Sequence, residues 1–432
     1  MNKYFGTDGI RGIANKELTT DIAYRCGYSL TKIVNNPLVL VGEDTRKSNN
    51  LILFSFASGV MAGGGNVVDV GIIPTSAVSY LTSLIKADFG IMISASHNPK
   101  EYNGIKVFGS NSQKASEELE SLIEENMIDV SIKDYSNIGT YIKKESLKEK
   151  YINKLINSVG IRLNGLKVVL DLSNGASFKV AEIPFKKLGA EVIKINYCKS
   201  GEINENCGSL HLNSLKREVI NSGADCGFAF DGDADRIMAV DENGREIDGD
   251  AIIFLLGLSF KKRGILKNNI VVGTSQTNIA IEKRLNKKGI KFLRSDVGDK
   301  YVIENMQHSH ACLGGEQSGH IIMSDIIPTG DGILSGLKIL ETMKLENKKL
   351  SELFNIKLTP QFNVSIKVKD KMRVKNNENL NNYILKTQQN FDGRIMVRAS
   401  GTEEKIRIMV EGENKTISKR ILNDIIEIVK NA

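Results

Sequence analysis

The chain has 432 residues, 41% hydrophobic and 25% charged. That is the make-up of a soluble globular protein too long for one core, so two to four domains are expected. The net charge of +7 is spread without like-charge runs, and the 6% aromatics include no Trp, which argues against a nucleic-acid surface or base-stacking platform.

The five cysteines (Cys26, Cys198, Cys207, Cys226, Cys312) form no CxxC pair. This predicts reduced thiols in a cytosolic protein and no disulfide framework. The opening residues Met1-Asn2-Lys3-Tyr4-Phe5-Gly6 have no apolar h-region, so no signal peptide is expected. The longest apolar run, residues 251–260, is about half of a membrane span, so no membrane segment is expected either.

Strand-like and helix-like segments alternate along the chain. Gly6-Thr7-Asp8-Gly9-Ile10-Arg11-Gly12 is a Gly/Arg loop of a kind that suits a phosphate. Thr20 is placed to cap a helix with Ile22, Cys26, Leu30 and Ile33 on its apolar face. Val39-Leu40-Val41-Gly42 reads as a strand followed by the polar loop Glu43-Asp44-Thr45-Arg46. The same order recurs at Val168-Val169-Leu170-Asp171 with residues 172–175, and at Ile270-Val271-Val272-Gly273 with residues 274–278. Recurrence at intervals on the order of a hundred residues suggests three related α/β domains.

The lysine-rich amphipathic segment 146–159, with Leu147, Tyr151, Leu155 and Ile156 on one side, reads as the first connector. Residues 355–375 mark a boundary before a small final domain of strand, helix, two strands and helix. The expected divisions are 1–150, 151–249, 250–362 and 363–432.

Four loops carry chemistry. Phe89-Gly90-Ile91-Met92-Ile93 is a strand running into Ser94-Ala95-Ser96-His97-Asn98-Pro99. Pro cannot continue a ladder and Asn favours a turn, which predicts Ser96 exposed at the strand's end beside an imidazole. Such a Ser is either a nucleophile or phosphate carrier, or an ordinary turn residue.

Asp231-Gly232-Asp233-Ala234-Asp235-Arg236 sets three carboxylates at alternate positions between apolar runs. Like charges this close repel unless a cation joins them, so the loop reads as a Mg²⁺ or Ca²⁺ site. An EF-hand is excluded, because Arg236 stands where that loop needs Gly and the flanks read as strands.

Gly314-Gly315-Glu316-Gln317-Ser318-Gly319-His320 is a glycine-rich turn whose polar groups suit sugar hydroxyls or proton transfer, unless it is a plain hairpin. His308 and His310, at strand-like spacing, lack a third ligand and read as structural or surface residues. Arg398-Ala399-Ser400-Gly401-Thr402-Glu403-Glu404-Lys405-Ile406-Arg407 joins two strands and offers forks, hydroxyls and free amides to a phosphate, or is a solvated hairpin. No Walker loop and no G-x-G-x-x-G occurs. Taken together, the four loops suit phosphoryl transfer to and from a serine in one cleft.

These four loops resemble the signature loops of the α-D-phosphohexomutases, in the family's order and over nearly the whole chain. The opening Lys3-Tyr4-Phe5-Gly6-Thr7-Asp8-Gly9-Ile10-Arg11-Gly12 and Gln317 are similar to the branch that interconverts glucosamine 6-phosphate and glucosamine 1-phosphate for bacterial cell-wall amino sugars. Phosphomannomutase or phosphoglucomutase activity is the neighbouring alternative. A Mg²⁺-dependent phosphatase with Asp231 as nucleophile is a remoter one, and it leaves Ser96 without a role.

The resemblance implies three related α/β domains and a smaller C-terminal α+β domain around a central cleft. It implies a phosphoserine at Ser96, one Mg²⁺ held by Asp231, Asp233, Asp235 and the seryl phosphate, and a sugar 1,6-bisphosphate intermediate. Glu316 and Ser318 are expected on sugar hydroxyls, and Arg398, Ser400, Gly401, Thr402 and Arg407 on the non-reacting phosphate. His97, Arg11, Lys106, Arg236 and His320 fall near the transferred group, with Lys106 or His320 assisting proton transfer. A cytoplasmic enzyme of small sugar phosphates is expected, with a homodimer as the candidate assembly and the oligomeric state left open. Three positions depart from the family pattern: Tyr102 for a usual Asp, Glu404 for a usual Pro, and Ala399.

Overall fold

The computed structural model describes residues 4–6, 8–128, 130, 133–197, 201–400 and 404–431. Among these, the strands form four sheets that succeed one another along the chain. The first contains β1 (Phe5–Gly6), β2 (Gly9–Ile13), β3 (Leu38–Glu43), β4 (Asn66–Ile72), β5 (Phe89–Ile93), β6 (Tyr102–Gly109) and β7 (Tyr141–Lys143), in the order β1-β2-β6-β5-β3-β4-β7. β3 runs parallel to β4 and β5, and all three are almost continuously apolar because helices cover both faces of a parallel sheet. β6 returns antiparallel beside β5, pairing Met92 with Lys106. β2 lies antiparallel on β6, pairing Arg11 with Gly104.

The second sheet holds β8 (Lys167–Asp171), β9 (Glu191–Ile195), β10 (Cys226–Phe230), β11 (Ile237–Asp241) and β12 (Glu246–Ile247), ordered β12-β11-β10-β8-β9. β10 and β11 form an antiparallel hairpin whose last pair is Phe230 and Ile237, so residues 231–236 are its turn. The third sheet holds β13 (Ile270–Thr274), β14 (Lys291–Ser295), β15 (Leu313–Gly315), β16 (Ile321–Met323) and β17 (Ile327–Gly330), ordered β14-β13-β15-β16-β17. Here Gly315 pairs with Ile321, and residues 316–320 are the turn. The three strands at which the sequence pattern recurs are β3, β8 and β13, each in a parallel pairing.

The chain divides into two compact units, Met1–Thr274 with Leu293–Asn355, and Ser275–Phe292 with Ile356–Ala432. The second unit holds the antiparallel sheet β18-β20-β19, from β18 (Gln361–Lys367), β19 (Gly393–Ala399) and β20 (Lys405–Gly412). Its core is Ile406, Ile408 and Val410 against Ile421, Leu422, Ile425 and Val429 of the last helix. The segment after β13 joins this unit through a buried carboxylate. Glu411 accepts from Arg394 Nε at 2.7 Å and from Ile279 N at 2.8 Å, while Arg394 also donates to Thr277 O at 2.8 Å.

Some local expectations are corrected. The first helix, Thr20–Ile33, is capped by Thr19, whose hydroxyl accepts from Ile22 N at 3.3 Å. Thr20 already has helical backbone, and only the preceding extended residue can aim its side chain at the free amides. His308 lies in the helix Asp299–Ser309, and His310 is its left-handed C-cap, so the pair is not on a strand. The helix expected in the final region is two helices, Lys371–Lys375 and Glu378–Asn390, because Asn377 breaks and recaps the chain. The connector forms the helix Lys148–Ser158, whose Tyr151 hydroxyl donates to Asp331 Oδ2 at 2.8 Å. The apolar run 251–260 lies inside the buried helix Gly249–Lys262. Among the described residues, no helix is long and apolar enough to cross a membrane.

Candidate active site

The first unit brings the serine, aspartate and sugar loops together. Ser96 follows β5 in a left-handed conformation (φ 51°) and is 1% exposed, so the expectation of an exposed Ser is corrected. The aspartate loop covers it. Ser96 Oγ donates to Asp231 Oδ2 at 2.6 Å and lies 3.2 Å from His97 Nδ1. Burial first, then the charges of Arg236 and Arg11, push the His97 pKa down to about 4. The ring is therefore neutral near pH 7.

Asp231, Asp233 and Asp235 are all buried, and one carboxylate oxygen of each lies within 4.8 Å of the others. Thr75, at the start of the helix Thr75–Leu84, holds Asp233 through its hydroxyl to Oδ2 (2.5 Å) and its amide to the main-chain oxygen (3.0 Å). Burial, then the charges of Asp235 and Asp233, raise the Asp231 pKa well above the carboxylate range. Asp235 moves the other way: burial opposes its ionisation, yet Lys106, His320 and Arg236 hold its pKa well below the usual value. Asp233 Oδ1 and Asp235 Oδ1 are buried without a hydrogen-bond partner among the described residues. Buried carboxylate oxygens left unpaired are costly, and a hard cation with oxygen ligands is what this donor set fits.

Lys106, on β6, is the cation nearest these carboxylates. Its buried Nζ lies 2.6 Å from Asp233 Oδ2, 3.3 Å from Asp235 Oδ2 and 3.1 Å from Asp8 Oδ2. Burial works against the charge, but the three carboxylates raise the ammonium pKa well above its ordinary value. Asp8 also pairs with Arg11, and with Lys114 at 2.5 Å; Lys114 in turn pairs with Asp299. Arg236 donates its amide to Asp231 Oδ1 at 3.1 Å, and its guanidinium lies 3.9 Å from Asp235.

His320 stands between two of these acids, its Nδ1 3.6 Å from Asp235 and its Nε2 3.8 Å from Asp299. Burial resists a charge on the ring, while Asp235 and Asp299 favour one, with a net rise in pKa. Gly330 N donates to Nε2 at 3.2 Å, which requires a lone pair there. That contact favours the neutral ring with its proton on Nδ1, toward Asp235.

The sugar loop is stitched to the aspartate hairpin. Ile237 N donates to Gly319 O at 3.0 Å, and Gly319 N to Glu316 O at 2.9 Å. Gly319 has φ +90°, and a Cβ there would stand 2.0 Å from Ile237 O, so only Gly fits. Glu316 is buried and takes Gly298 N at 3.0 Å, whereas Ser318 is exposed. Gln317 is held by Asp248 at 3.2 Å.

The second unit carries the remaining candidates. Arg398 on β19 and Arg407 on β20 are directly opposite in register. Like charges facing each other across strands are unfavourable unless an anion joins them. Ser400 is buried beside them and donates its amide to Lys405 O at 2.8 Å. Gly401 and Thr402 lie outside the described residues, as do Lys3, Thr7, Cys198 and Glu403.

Phosphoglucomutase/phosphomannomutase family models match the chain in four parts: α/β/α domain I over residues 2–132, domain II over 149–244, domain III over 248–359 and the C-terminal domain over 364–428. Curated phosphoglucosamine mutases from Acetivibrio thermocellus and Caldanaerobacter subterraneus are 43% and 45% identical, over 100% of this chain and 99% of theirs. The chain belongs to the phosphoglucosamine mutase family. It is thus a phosphohexomutase, built of three α/β/α domains and a C-terminal domain.

Solved structures agree on the fold. A phosphoglucomutase/phosphomannomutase family protein from Burkholderia thailandensis superposes with TM-score 0.83 at 23% identity, covering 99% of this chain and 97% of the other. The Aspergillus fumigatus N-acetylphosphoglucosamine mutase, solved with GlcNAc-6P and magnesium, gives 0.71 at 17% identity, covering 100% and 96%.

Several residues of the site carry little signal in the sequence. Asp8 stands out there only as part of a Gly/Arg loop, although its carboxylate joins Lys106, Lys114 and Arg11. Thr75, Lys114 and Asp299 sit in ordinary helix-start or loop contexts, and nothing local marks them.

Proposed function

We propose that the protein interconverts glucosamine 6-phosphate and glucosamine 1-phosphate, with Ser96 carrying the phosphoryl group and a sugar bisphosphate as intermediate. One observation carries this reading: the Ser96 hydroxyl lies 2.6 Å from Asp231, beside the unpaired oxygens of Asp233 and Asp235. A phosphate on Ser96 would carry about −1.5 to −2 charges into a buried site. Asp231, Asp233 and Asp235, with an oxygen of that phosphate, would hold one Mg²⁺, which when bound supplies charge neutralisation for the transferred group.

In the forward half-reaction a sugar hydroxyl oxygen attacks the phosphorus, the bond from phosphorus to Ser96 Oγ breaks, and the proton lost by the sugar hydroxyl is balanced by one gained at Ser96 Oγ. Lys106 or His320 assists that proton transfer. Arg11, Arg236 and Lys106 offset charge on the equatorial oxygens, which is how phosphoryl transfer is chiefly accelerated. His97 Nδ1 stands 3.2 Å from the serine hydroxyl when no phosphate is present. Glu316 and Ser318 orient sugar hydroxyls, and Arg398, Ser400, Gly401, Thr402 and Arg407 hold the non-reacting phosphate. Forks that grip phosphate alone accept either end of the bisphosphate after it turns over.

The matched family segments support functional domains 1–150, 151–249, 250–362 and 363–432. Buried, unpaired Cys26, Cys207, Cys226 and Cys312 support a cytoplasmic setting.

The test is mass spectrometry of Ser96 joined to assays of glucosamine 6-phosphate, glucose 1-phosphate and mannose 1-phosphate with Mg²⁺ and a sugar bisphosphate. Phosphate on Ser96, lost with activity in Ser96→Ala, is expected. Full activity in Ser96→Ala overturns the mechanism, and glucosamine phosphate turning over no better than the others overturns the substrate.

A further inference from the structure

The loop bearing Ser96 is gripped by its main chain from behind. Arg46 is 3% exposed, and all five donors of its guanidinium are used. Nε meets Asp44 Oδ2 at 3.0 Å. One terminal nitrogen donates to Tyr102 O at 2.9 Å and to Pro99 O. The other donates to Ser96 O at 2.9 Å and Asn98 O at 2.8 Å.

Asp44 is equally occupied. It takes the Arg46 amide and the Asn49 side-chain donor on Oδ1 at 2.9 Å each, and Ser94 Oγ on Oδ2 at 2.6 Å. Ser94 Oγ then accepts from Ser96 N at 2.9 Å. Asn204 Nδ2 donates to two of the same carbonyls, Ser96 O at 2.9 Å and Asn98 O at 3.1 Å. Every contact is to backbone or to another member of the set, so the Ser96 side chain is left free to face Asp231.

We infer that Arg46, Asp44 and Ser94 are positioning residues for phosphoryl transfer, which hold Ser96 in its left-handed conformation with Oγ aimed at the aspartate loop. This inference rests on Ser96 being the phosphoryl carrier. The conformation is unfavourable for an L residue, so it persists only where surrounding contacts over-determine it. Those contacts end at the carbonyls of Ser96, Asn98, Pro99 and Tyr102 and, through Ser94, at the Ser96 amide, which lets Oγ gain and lose a phosphoryl group without the loop relaxing. A charged fork neutralised by its own carboxylate does this without adding net charge beside the transferred group. The arrangement also separates Ser94 from the chemistry. Its hydroxyl is committed twice, as donor and as acceptor, and is unavailable as a nucleophile.

The test compares Arg46→Lys, Ser94→Ala and Ser96→Ala in the full chain, with rates normalised to folded protein. Lysine offers three donors from one nitrogen and cannot span four carbonyls and Asp44. A misplacement near 1 Å costs roughly a hundredfold in rate, so Arg46→Lys is expected to lower kcat by that order. KM for glucosamine 6-phosphate is expected to stay within about threefold, because substrate contacts are untouched. Ser94→Ala is expected to lower kcat about tenfold with the same constancy of KM, and it decides the matter if Arg46→Lys fails to fold. In Arg46→Ala, millimolar guanidinium is expected to restore kcat saturably where methylammonium does not. The inference is overturned if Arg46→Lys and Ser94→Ala keep kcat within threefold of the parent, or if KM rises in proportion to the loss. Full activity in Ser96→Ala refutes the carrier itself, whereas an inactive Ser96→Ala beside an unimpaired Arg46→Lys refutes only the positioning role.

Discussion

Lys106→Met tests the charge balance on which the site depends. The ammonium is 2.6 Å from Asp233, 3.3 Å from Asp235 and 3.1 Å from Asp8, and its side chain is 2% exposed. Methionine is close in length and apolar, so packing changes little while the charge disappears. Removing one partner of a buried ion pair costs about 3–5 kcal/mol, because the remaining charges stay buried without compensation. In a chelator, that loss lowers the midpoint of thermal unfolding by roughly 5–10 °C.

The raised ammonium pKa sets the window for that loss. A group whose folded pKa exceeds its unfolded value contributes fully below the ordinary lysine value and fades only as pH rises through the folded one. The difference between parent and variant is thus expected to be constant from pH 6 to 9. Mg²⁺ at a hundred times its dissociation constant stabilises a folded site by about 2.7 kcal/mol. The variant has lost its internal cation, so Mg²⁺ binds it more tightly and raises its midpoint more than the parent's. Differential scanning fluorimetry across a Mg²⁺ titration at pH 7 measures both effects. A drop under about 2 °C in chelator, or equal Mg²⁺ increments in both proteins, would refute the account of Lys106 as the cation that balances these carboxylates.

Three further outcomes are expected. Burial, then the charges of Asp69 and Asp44, raise the Glu43 pKa to about 7, so its folded form holds a proton that the unfolded chain releases above about pH 4.5. Glu43→Gln is therefore expected to match the parent at pH 4 and to be more stable by about 2–3 kcal/mol at pH 8 in urea melts, with equal stability at both pH values as the contrary result. Gly319→Ala puts a Cβ 2.0 Å from Ile237 O at a left-handed position and is expected to cost at least about 2 kcal/mol along with most of the mutase activity, whereas parental stability would show that the loop can move. Cys26, Cys207, Cys226 and Cys312 are buried and burial raises each thiol's pKa, so a thiol reagent is expected to label none of these four in the native protein and all in urea. Native labelling at Cys312 would contradict its burial beside Lys267 and Ile265.

The features legible in the amino-acid order are local ones. Apolar runs mark β3, β5, β8, β10 and β13, and the chemistry-bearing residues between them read as loops. Three aspartates at alternate positions advertise a cation because the repulsion among them is a matter of a few bonds. What those loops meet is a property of the folded chain. Ser96 is buried against a carboxylate 135 residues away, and Lys106 against one 127 residues away. The helix cap falls on Thr19 and not on Thr20 for a smaller version of the same reason, since capping follows backbone dihedrals that composition does not reveal. Arg46 stands in plain view inside a polar loop, yet its role lies in four carbonyls between 50 and 56 residues further on. Periodicity reports which face of a segment is apolar; it carries no information about which distant backbone will arrive there, because that is settled by the packing of whole sheets and helices.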